Sequence, residues 1–462
     1  MKMIKYIIVL NLCLFMPITN DVLNAEFELY QSIPTIGVRD FEFFTINDEK
    51  YLAIINSKDS NTYNINSVIY KWNGNSFIEF QSISTNGGRD FEFFILDGEY
   101  YIAAINYFND STRKIDSHIY KWNGTNFSIF QSILTDGAFY WKYFTINGVS
   151  YLALSNFYND LNNTVDSKIY KWNGAKFIEF QNILTYGSNS CESFCINDET
   201  YLAFANKFSN SQIYKWDGTS FKEFQTIPSN SAMNMKPFII NDYIFLAVAN
   251  SGNENTFNIN SQIYQWNGTS FTEFQTIDTN CAQNFESFII NGETYLAVAN
   301  HHNDITKKID TKIYKWDCNL FKKFQTIPTE GAVKCKTFII DDVTYLAIAN
   351  FNNDSTYQIE SKIYKWKDMC NYTDSDSDGV IDKFDTELNT PKGSAVYANG
   401  QKAIDLYDEI EDLKESIAVM YTEKQLHERL QSILDCCDTD GNGKISLLEI
   451  IKGLETLSGI KE

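Results

Sequence analysis

A tetrapeptide, Ile-Tyr-Lys-Trp, recurs along the chain at a nearly constant interval. The tryptophans follow one another at spacings of 50, 50, 44, 50, 50 and 50 residues, and one copy reads Ile-Tyr-Gln-Trp. Seven copies at such a period indicate one supersecondary unit, repeated so that each copy buries its apolar surface against its neighbours. The seven residues are Trp72, Trp122, Trp172, Trp216, Trp266, Trp316 and Trp366.

Within one repeat, four short apolar runs are typical of β-strands. In residues 91–133 the runs cover 91–96, 101–105, 118–122 and 127–133. Asp97-Gly98 and Asn123-Gly124 separate the runs in pairs, and such dipeptides supply the positive φ angles of tight hairpin turns. No part of the repeat has helical periodicity, so the sequence predicts an all-β propeller of four-stranded blades.

The two ends of the repeat array complement each other. The array begins with a strand of the fourth type, Phe27 to Ile33, and ends with a strand of the third type that closes at Trp366. We therefore predict seven blades, in which the N-terminal strand completes the last blade beside residues 363–366. Closure of this kind removes the exposed sheet edges of an open array.

The connection between the second and third strands is long in six repeats and short in one. The six missing residues fall between Asn206 and Ser211, and loops tolerate deletions better than strands do. Six long loops on one rim form the predicted binding face. Each second strand ends in Asn, and each third strand begins with Ser or Thr. We interpret these side chains as hydrogen-bonding groups that fix the base of each loop. The repeated Trp and Tyr side chains are interpreted as packing between blades.

One position in the first strand of each repeat is always charged. If these strands line the central channel, the alternating signs allow neighbouring blades to pair their charges. The series is Glu42, Glu92, Lys142, Glu192, Lys236, Glu286 and Lys336.

The first two blades depart from this alternation and concentrate negative charge. Each carries two acidic residues in its first strand, and four carboxylates on adjacent blades could bind a hard cation such as Ca²⁺ in the channel. The alternative is that Arg39 and Arg89 neutralise them. The sequence leaves both interpretations open. The four acids are Asp40, Glu42, Asp90 and Glu92.

The repeats are followed by an acidic tail that contains an EF-hand calcium loop. Residues 368–462 carry 21 acidic and 9 basic side chains, a net charge of −12. A loop at 438–449 has the spacing of hard oxygen ligands that surround one Ca²⁺ ion, with Gly443 at the sharp turn. The predicted ligands are Asp438, Asp440, Asn442, Lys444 through its carbonyl, Ser446 and Glu449.

A second acidic loop, at 374–385, has a similar spacing with Gly379 at its turn. No helix obviously precedes it, and the twelfth position holds the shorter aspartate, so a solvated acidic linker is the alternative. The predicted ligands are Asp374, Asp376, Asp378, Val380 through its carbonyl, Asp382 and Asp385. Calcium is the cofactor that the sequence predicts.

The N-terminus has the pattern of a secretory signal peptide. Lys2 and Lys5 precede a mostly apolar run, Ile7 to Met16, which Pro17 ends. Ala25 offers a small residue for cleavage. The run is shorter than the roughly 20 residues of a transmembrane helix. We therefore predict export, with no membrane span in the mature chain.

The remaining features favour binding over catalysis. An acidic chain of net charge −21 does not suit nucleic acid, which is bound mainly by Lys and Arg. The sequence shows no nucleophile elbow and no zinc motif, and an enzyme is not expected. Four histidines are present, and His301-His302 is interpreted as surface rather than as a ligand pair. The cysteines do not follow the repeat, so their pairing is left open.

The repeat as a whole resembles the epitempin or epilepsy-associated repeat (EAR/EPTP). The resemblance rests on Asp-Phe-Glu-x-Phe, Tyr-Leu-Ala-x-x-Asn, Ile-Tyr-Lys-Trp-Asn-Gly and Phe-x-x-Phe-Gln-x-Ile, in seven copies over about residues 27–368. It implies a seven-bladed propeller that binds other extracellular proteins, and channel acids like Asp40, Glu42 and Asp90. Residues 374–400 resemble a thrombospondin type 3 calcium repeat.

Together these features predict a secreted or cell-surface, calcium-binding recognition or adhesion protein. Its partner would be an extracellular or cell-surface protein or glycan, met in the periplasm or at the outer surface in a bacterium. A propeller glycosidase or lyase and an exported EF-hand calcium sensor are the alternatives. The predicted domains are a signal peptide at 1–25, the propeller at 26–368, the acidic loop and linker at 369–400, and a helical segment with the EF-hand at 401–462.

Overall fold

A computed structural model describes residues 25–367, and in this range every regular element is a β-strand. The strands, numbered β1–β28 in chain order, form seven four-stranded sheets. The predicted all-β, seven-bladed propeller is confirmed, while the signal peptide and the predicted helical calcium-binding region lie outside the described residues. Between residues 25 and 367 there is no helix long and apolar enough to cross a membrane.

Six blades each use four consecutive strands. Blade 1 contains β2 (Val38–Ile46), β3 (Glu49–Asn56), β4 (Ser67–Trp72) and β5 (Phe77–Ile83). Blade 2 contains β6 (Phe91–Leu96), β7 (Glu99–Ala104), β8 (Lys114–Trp122) and β9 (Phe127–Asp136). Blade 3 contains β10 (Ala138–Ile146), β11 (Val149–Asn156), β12 (Thr164–Trp172) and β13 (Phe177–Tyr186). Blade 4 contains β14 (Ser188–Ile196), β15 (Glu199–Asn206), β16 (Ser211–Trp216) and β17 (Phe221–Ile227).

The remaining blades continue this order until the last, which takes its outer strand from the N-terminus. Blade 5 contains β18 (Ala232–Ile240), β19 (Tyr243–Asn250), β20 (Ser261–Trp266) and β21 (Phe271–Ile277). Blade 6 contains β22 (Ala282–Ile290), β23 (Glu293–Asn300), β24 (Lys308–Trp316) and β25 (Phe321–Glu330). Blade 7 contains β26 (Ala332–Ile340), β27 (Val343–Asn350), β28 (Gln358–Lys367) and β1 (Glu26–Ile36), which lies beside β28 as predicted.

A glutamine in the outer strand of each blade bonds to the outer strand of the next blade. Gln31, for example, accepts a hydrogen bond from the Phe77 amide at 2.9 Å and donates one to the Phe77 carbonyl at 2.9 Å. Gln325 closes the ring by making the same pair of bonds to Phe27, both at 3.0 Å. The other bridges join Gln81 to Phe127, Gln131 to Phe177, Gln181 to Phe221, Gln225 to Phe271 and Gln275 to Phe321.

The apolar cores lie between blades, so neighbouring blades stabilise one another. Phe44 and Tyr51 of blade 1, for example, share a buried cluster with Phe91 and Phe127 of blade 2. The repeated tryptophans pack at the same interfaces, as Tyr51 of blade 1 and Trp122 of blade 2 show with ring centroids 6.0 Å apart. The interpretation of the repeated aromatic residues as inter-blade packing is therefore confirmed.

The predicted turns and loop bases are also confirmed. Asn47 and Asp48 have φ angles of 47° and 66°, which the hairpin between β2 and β3 requires. At the base of the first long loop, the Asn56 amide donates to Ser67 Oγ at 3.1 Å. Asn56 Nδ2 donates to the Asn66 carbonyl at 2.9 Å. Asn56 Oδ1 also accepts the Ile36 amide of blade 7 at 3.1 Å, so the side chain joins the loop base to the backbone of the preceding blade.

Candidate recognition face at the channel mouth

The strand order places the two kinds of connection at opposite rims of the propeller. Both hairpin turns of a blade lie at one rim, while the long β3–β4-type loops and the links between blades lie at the other, which we call the loop face. The first strands of successive blades contact one another, as β2 does with β6 and β26. These strands therefore line the central channel, and the predicted charged positions face one another there.

Charges in the channel pair across blade boundaries. Lys142 Nζ lies 3.3 Å from Glu92 Oε1 and 3.6 Å from Glu192 Oε2. On the far side, Lys236 pairs with Glu286 at 2.9 Å. Burial raises the pKa of Glu92 to about 7, although the positive charge of Lys142 acts to lower it. Each partly buried charge therefore depends on a partner from the next blade.

The four acids predicted to bind calcium in the channel have partners of their own. Lys334 Nζ lies 2.8 Å from Asp40 Oδ1, and Lys336 Nζ lies 2.6 Å from Glu42 Oε2. Asp90 Oδ2 accepts the Trp141 amide at 2.8 Å. Burial, followed by the charge of Asp40, raises the pKa of Asp90 well above its usual range. Cation binding by Asp40, Glu42, Asp90 and Glu92 remains a proposal, and a cation there would have to compete with the two lysines.

Arg39 and Arg89, which the sequence offered as neutralising partners, contact aromatic rings instead. The Arg39 guanidinium carbon lies 3.5 Å from the centroid of Phe351, and that of Arg89 lies 4.2 Å from Phe139. Within residues 25–367 neither guanidinium makes a hydrogen bond or an ion pair, and both Nε atoms are buried. Burial lowers the pKa of both residues, and the nearby charge of Arg89 lowers that of Arg39 further.

The two arginines lie at the entrance of the channel. They line a cavity of about 70 Å³ together with Asp40, Asp90 and Lys334. An arginine presents up to five N–H donors in a planar fork that matches carboxylate, sulfate and phosphate groups. Two such forks without an anionic partner give the channel mouth the chemistry of an anion-binding site.

Other cations on the loop face are also held against aromatic rings. Lys58 Nζ lies 4.7 Å from the Tyr63 centroid, and the Arg113 guanidinium carbon lies 4.7 Å from that of Phe108. Lys207 Nζ lies 5.7 Å from Phe208. This pattern is not visible in the sequence, because the cations occupy different positions in different repeats.

The long loops are tied to one another by aspartates. Asp110, in the loop of blade 2, accepts hydrogen bonds from Thr62 Oγ1 at 2.5 Å and from the Tyr63 amide at 2.8 Å, both in the loop of blade 1. The same arrangement recurs at Asp160, Asp304 and Asp354. Such bonds hold the loops of neighbouring blades in fixed positions relative to one another.

The predicted calcium ligands of the tail, from Asp374 to Asp385 and from Asp438 to Glu449, lie outside the described residues. The cysteines within residues 25–367 are free thiols, namely Cys191, Cys195, Cys281, Cys318 and Cys335.

The EPTP domain family matches seven consecutive segments of the chain, which are 26–73, 76–123, 126–173, 176–217, 220–267, 270–317 and 320–367. Two curated relatives, each described as "Thrombospondin-type laminin G domain and EAR repeat-containing protein", come from Mus musculus and Homo sapiens. The mouse protein is 39% identical over 54 residues, or 12% of this chain and 8% of the relative. The human protein is 46% identical over 50 residues, or 11% of this chain and 8% of the relative. The matched segment thus spans only a small part of either relative.

One solved structure, that of the SapL1 lectin in complex with alpha methyl fucoside, covers 64% of this chain and 98% of the lectin. Its sequence identity is 11% and its TM-score is 0.40.

Proposed function

The chain belongs to the EPTP domain family through all seven blades of its propeller, and from this premise we propose that it is an exported recognition protein. It acts by binding rather than by catalysis, and its partner is an extracellular or cell-surface protein or glycan. The loop face makes the contact. The observation that carries the proposal is the pair of arginines, Arg39 and Arg89, at the channel mouth.

Burial without an anionic partner is costly for a guanidinium. The surrounding rings of Phe351, Phe139 and Tyr107 recover part of that cost by cation–π attraction. A partner that places a carboxylate or sulfate between the two forks recovers more, because it adds charge-assisted hydrogen bonds in a partly buried site. The proposed partner therefore presents an anionic group to the loop face.

We expect the double variant Arg39→Gln/Arg89→Gln to lose most of its affinity for such a partner. The full mature chain is applied to an array of sulfated, sialylated, uronic-acid and neutral glycans beside a panel of extracellular proteins. The ligands that the parent chain binds should carry an anionic group. The variant should bind them at least about tenfold more weakly, because the loss of a buried charge pair costs about 2–5 kcal/mol.

A matched control removes two positive charges from the opposite rim. Lys71 and Lys121 pair with Glu49 and Glu99 beside the hairpin turns. The variant Lys71→Gln/Lys121→Gln should keep full affinity, and melting curves of both variants check that they fold. Preferred binding to neutral ligands, or equal affinity in both double variants, would contradict the role of the loop face arginines.

The tail is proposed to bind Ca²⁺ at two loops. Asp438, Asp440, Asn442, Lys444, Ser446 and Glu449 form the first set of ligands, and Asp374, Asp376, Asp378, Val380, Asp382 and Asp385 form the second. The ligand spacing in the sequence supports this proposal, since each loop must surround one ion with about six or seven oxygens. We propose that calcium stiffens the segment that follows the propeller.

Calorimetric titration of the mature chain with Ca²⁺ should show that Glu449→Gln and Asp385→Asn each remove one binding event. The reason is that each substitution removes the ligand at position 12 of its loop. Asn126→Gln, an exposed change in the turn before β9, is the control. If neither substitution changes the binding isotherm, the two tail loops are not the sites that bind Ca²⁺. A large change in helix content between low and millimolar Ca²⁺ would instead favour a regulatory sensor.

A further inference from the structure

Three side chains of metal-ligating types meet in blade 6, and the sequence favours a surface role for two of them. Cys281 precedes β22, while His301 and His302 follow β23. One ligand atom from each residue lies within 4.8 Å of the other two. Cys281 is buried, and both histidines are partly exposed beside it.

The backbone that brings these residues together is common to the repeat. The His301 amide donates to the Cys281 carbonyl at 3.2 Å, as the Ser57 amide does to the Gly37 carbonyl at 3.0 Å in blade 1. Blade 6 alone places a cysteine and two histidines on this scaffold. The residues equivalent to Cys281 are Gly37, Gly87, Gly137, Gly187, Ser231 and Gly331. The residues equivalent to His301 and His302 are Ser57-Lys58, Tyr107-Phe108, Phe157-Tyr158, Lys207-Phe208, Ser251-Gly252 and Phe351-Asn352.

Cys281 occupies a backbone conformation that suits glycine. Its φ angle is 47°, in the left-handed region, where the glycines of other blades lie, as Gly37 does at 53°. A side chain there costs roughly 1–2 kcal/mol relative to the right-handed region. Ser231, the equivalent in blade 5, has a similar φ angle of 50°, so it is the thiol, and not the strain, that distinguishes blade 6.

Hydrogen-bond partners around Cys281 and His301 favour the forms of these side chains that bind a metal ion. His301 Nε2 lies 3.3 Å from Asn352 Oδ1. When Nε2 carries the proton and donates it to this oxygen, Nδ1 keeps its lone pair and can bind a metal. Gln283 Nε2 lies 3.3 Å from Cys281 Sγ and can donate to a thiolate.

We propose that Cys281, His301 and His302 bind a single Zn²⁺ ion, with the fourth position open to water or to a group of a partner. One thiolate and two imidazoles are ligands that zinc prefers, whereas Ca²⁺ and Mg²⁺ require oxygen ligands. His301 Nδ1 and His302 Nδ1 lie 2.6 Å apart. Tetrahedral zinc needs nitrogen atoms about 3.3 Å apart, so side-chain rotation must separate the two rings slightly.

The test uses the metal-free mature chain, kept reduced and loaded with Co²⁺ or Zn²⁺. Cobalt should produce the thiolate charge-transfer band of a Cys-ligated site, and zinc should raise the melting temperature. Loss of a hydrogen-bond partner of a metal ligand costs about 10–100-fold in metal affinity. His301→Gln and His302→Gln each remove a ligand itself, so each should cost more than about 100-fold.

Cys281→Gly separates metal binding from folding. Without metal this variant should melt at or above the temperature of the parent, because glycine relieves the strained φ angle. It should show neither the cobalt band nor the zinc-induced shift, while Cys195→Ala, which removes an exposed thiol, should keep both. The proposal is overturned if the parent lacks the band, or if the band survives in Cys281→Gly. In the latter case another thiol of the chain holds the cobalt.

Discussion

Deleting residues 26–33 will abolish the single cooperative unfolding transition of the propeller. This segment supplies most of β1, the outer strand of blade 7. Its loss exposes the edge of β28 and removes both hydrogen bonds between Gln325 and Phe27. The side chains of Phe27 and Ile33 are 3% and 1% exposed, and burial of each is worth about 1.5–3 kcal/mol.

The effect should spread beyond blade 7 because every inter-blade core is shared by two blades. The Phe27 ring packs against Phe288 of blade 6 at 5.8 Å and against Trp366 of blade 7 at 5.1 Å. We expect a lower and broader transition in calorimetry and circular dichroism. A chain that begins at residue 26 is the parent for this comparison, so that the two proteins differ only in residues 26–33. If the deletion variant melted in one sharp transition at the parental temperature, closure of the ring by β1 would contribute little to stability.

The periodicity of the sequence was sufficient to predict the blades because each strand is a local pattern. The first strand of blade 2 was predicted at 91–96 and is found there as β6. The third strand was predicted to begin at residue 118, whereas β8 begins at Lys114. The extension was missed because Lys114 to Ser117 pair with β9 through their backbones, and backbone pairing leaves no hydrophobic pattern in the sequence.

The contacts between blades were harder to predict than the blades. Each bridging glutamine is visible as a repeated residue in the sequence, yet its partner lies 46 residues away in most cases and 298 away for Gln325. The partners of Asp40 and Glu42 escaped prediction for the same reason, since Lys334 and Lys336 approach them only when the ring closes. Likewise, Cys281 and His301 differ from their equivalents in other repeats, but their proximity follows only from the strand pairing in blade 6.

Replacing Lys334 with Met will strongly destabilise the propeller at neutral pH. The Lys334 side chain is 14% exposed and that of Asp40 is 3% exposed, so the ion pair is largely shielded from water. Removing one partner of a buried pair leaves an uncompensated charge and typically costs about 3–5 kcal/mol. Chemical denaturation at pH 7 measures this loss, and the double variant Asp40→Asn/Lys334→Met should recover most of it, because neither charge then remains.

The pH dependence should identify the cause of the loss. Burial and Asp40 already raise the pKa of Asp90, and Lys334 is the neighbour that opposes them most. Without Lys334 the folded state holds the Asp90 proton more tightly. The unfolded state releases it near pH 3.9, so the stability of Lys334→Met should fall as the pH rises from about 4 towards neutrality. A loss of stability that is equal at pH 4 and pH 7 would point to lost packing rather than to unpaired charge.

The same variant tests the calcium proposal for the channel. Lys334 and Lys336 occupy the positions at Asp40 and Glu42 where a cation would neutralise the acids. If the four carboxylates suit Ca²⁺, removing Lys334 should open the site, and millimolar Ca²⁺ should restore stability to Lys334→Met. Because the tail is expected to bind calcium as well, the measurement uses a chain that also carries Asp385→Asn and Glu449→Gln. If Ca²⁺ fails to stabilise Lys334→Met in that chain, the channel acids serve only as partners for the lysines of the ring.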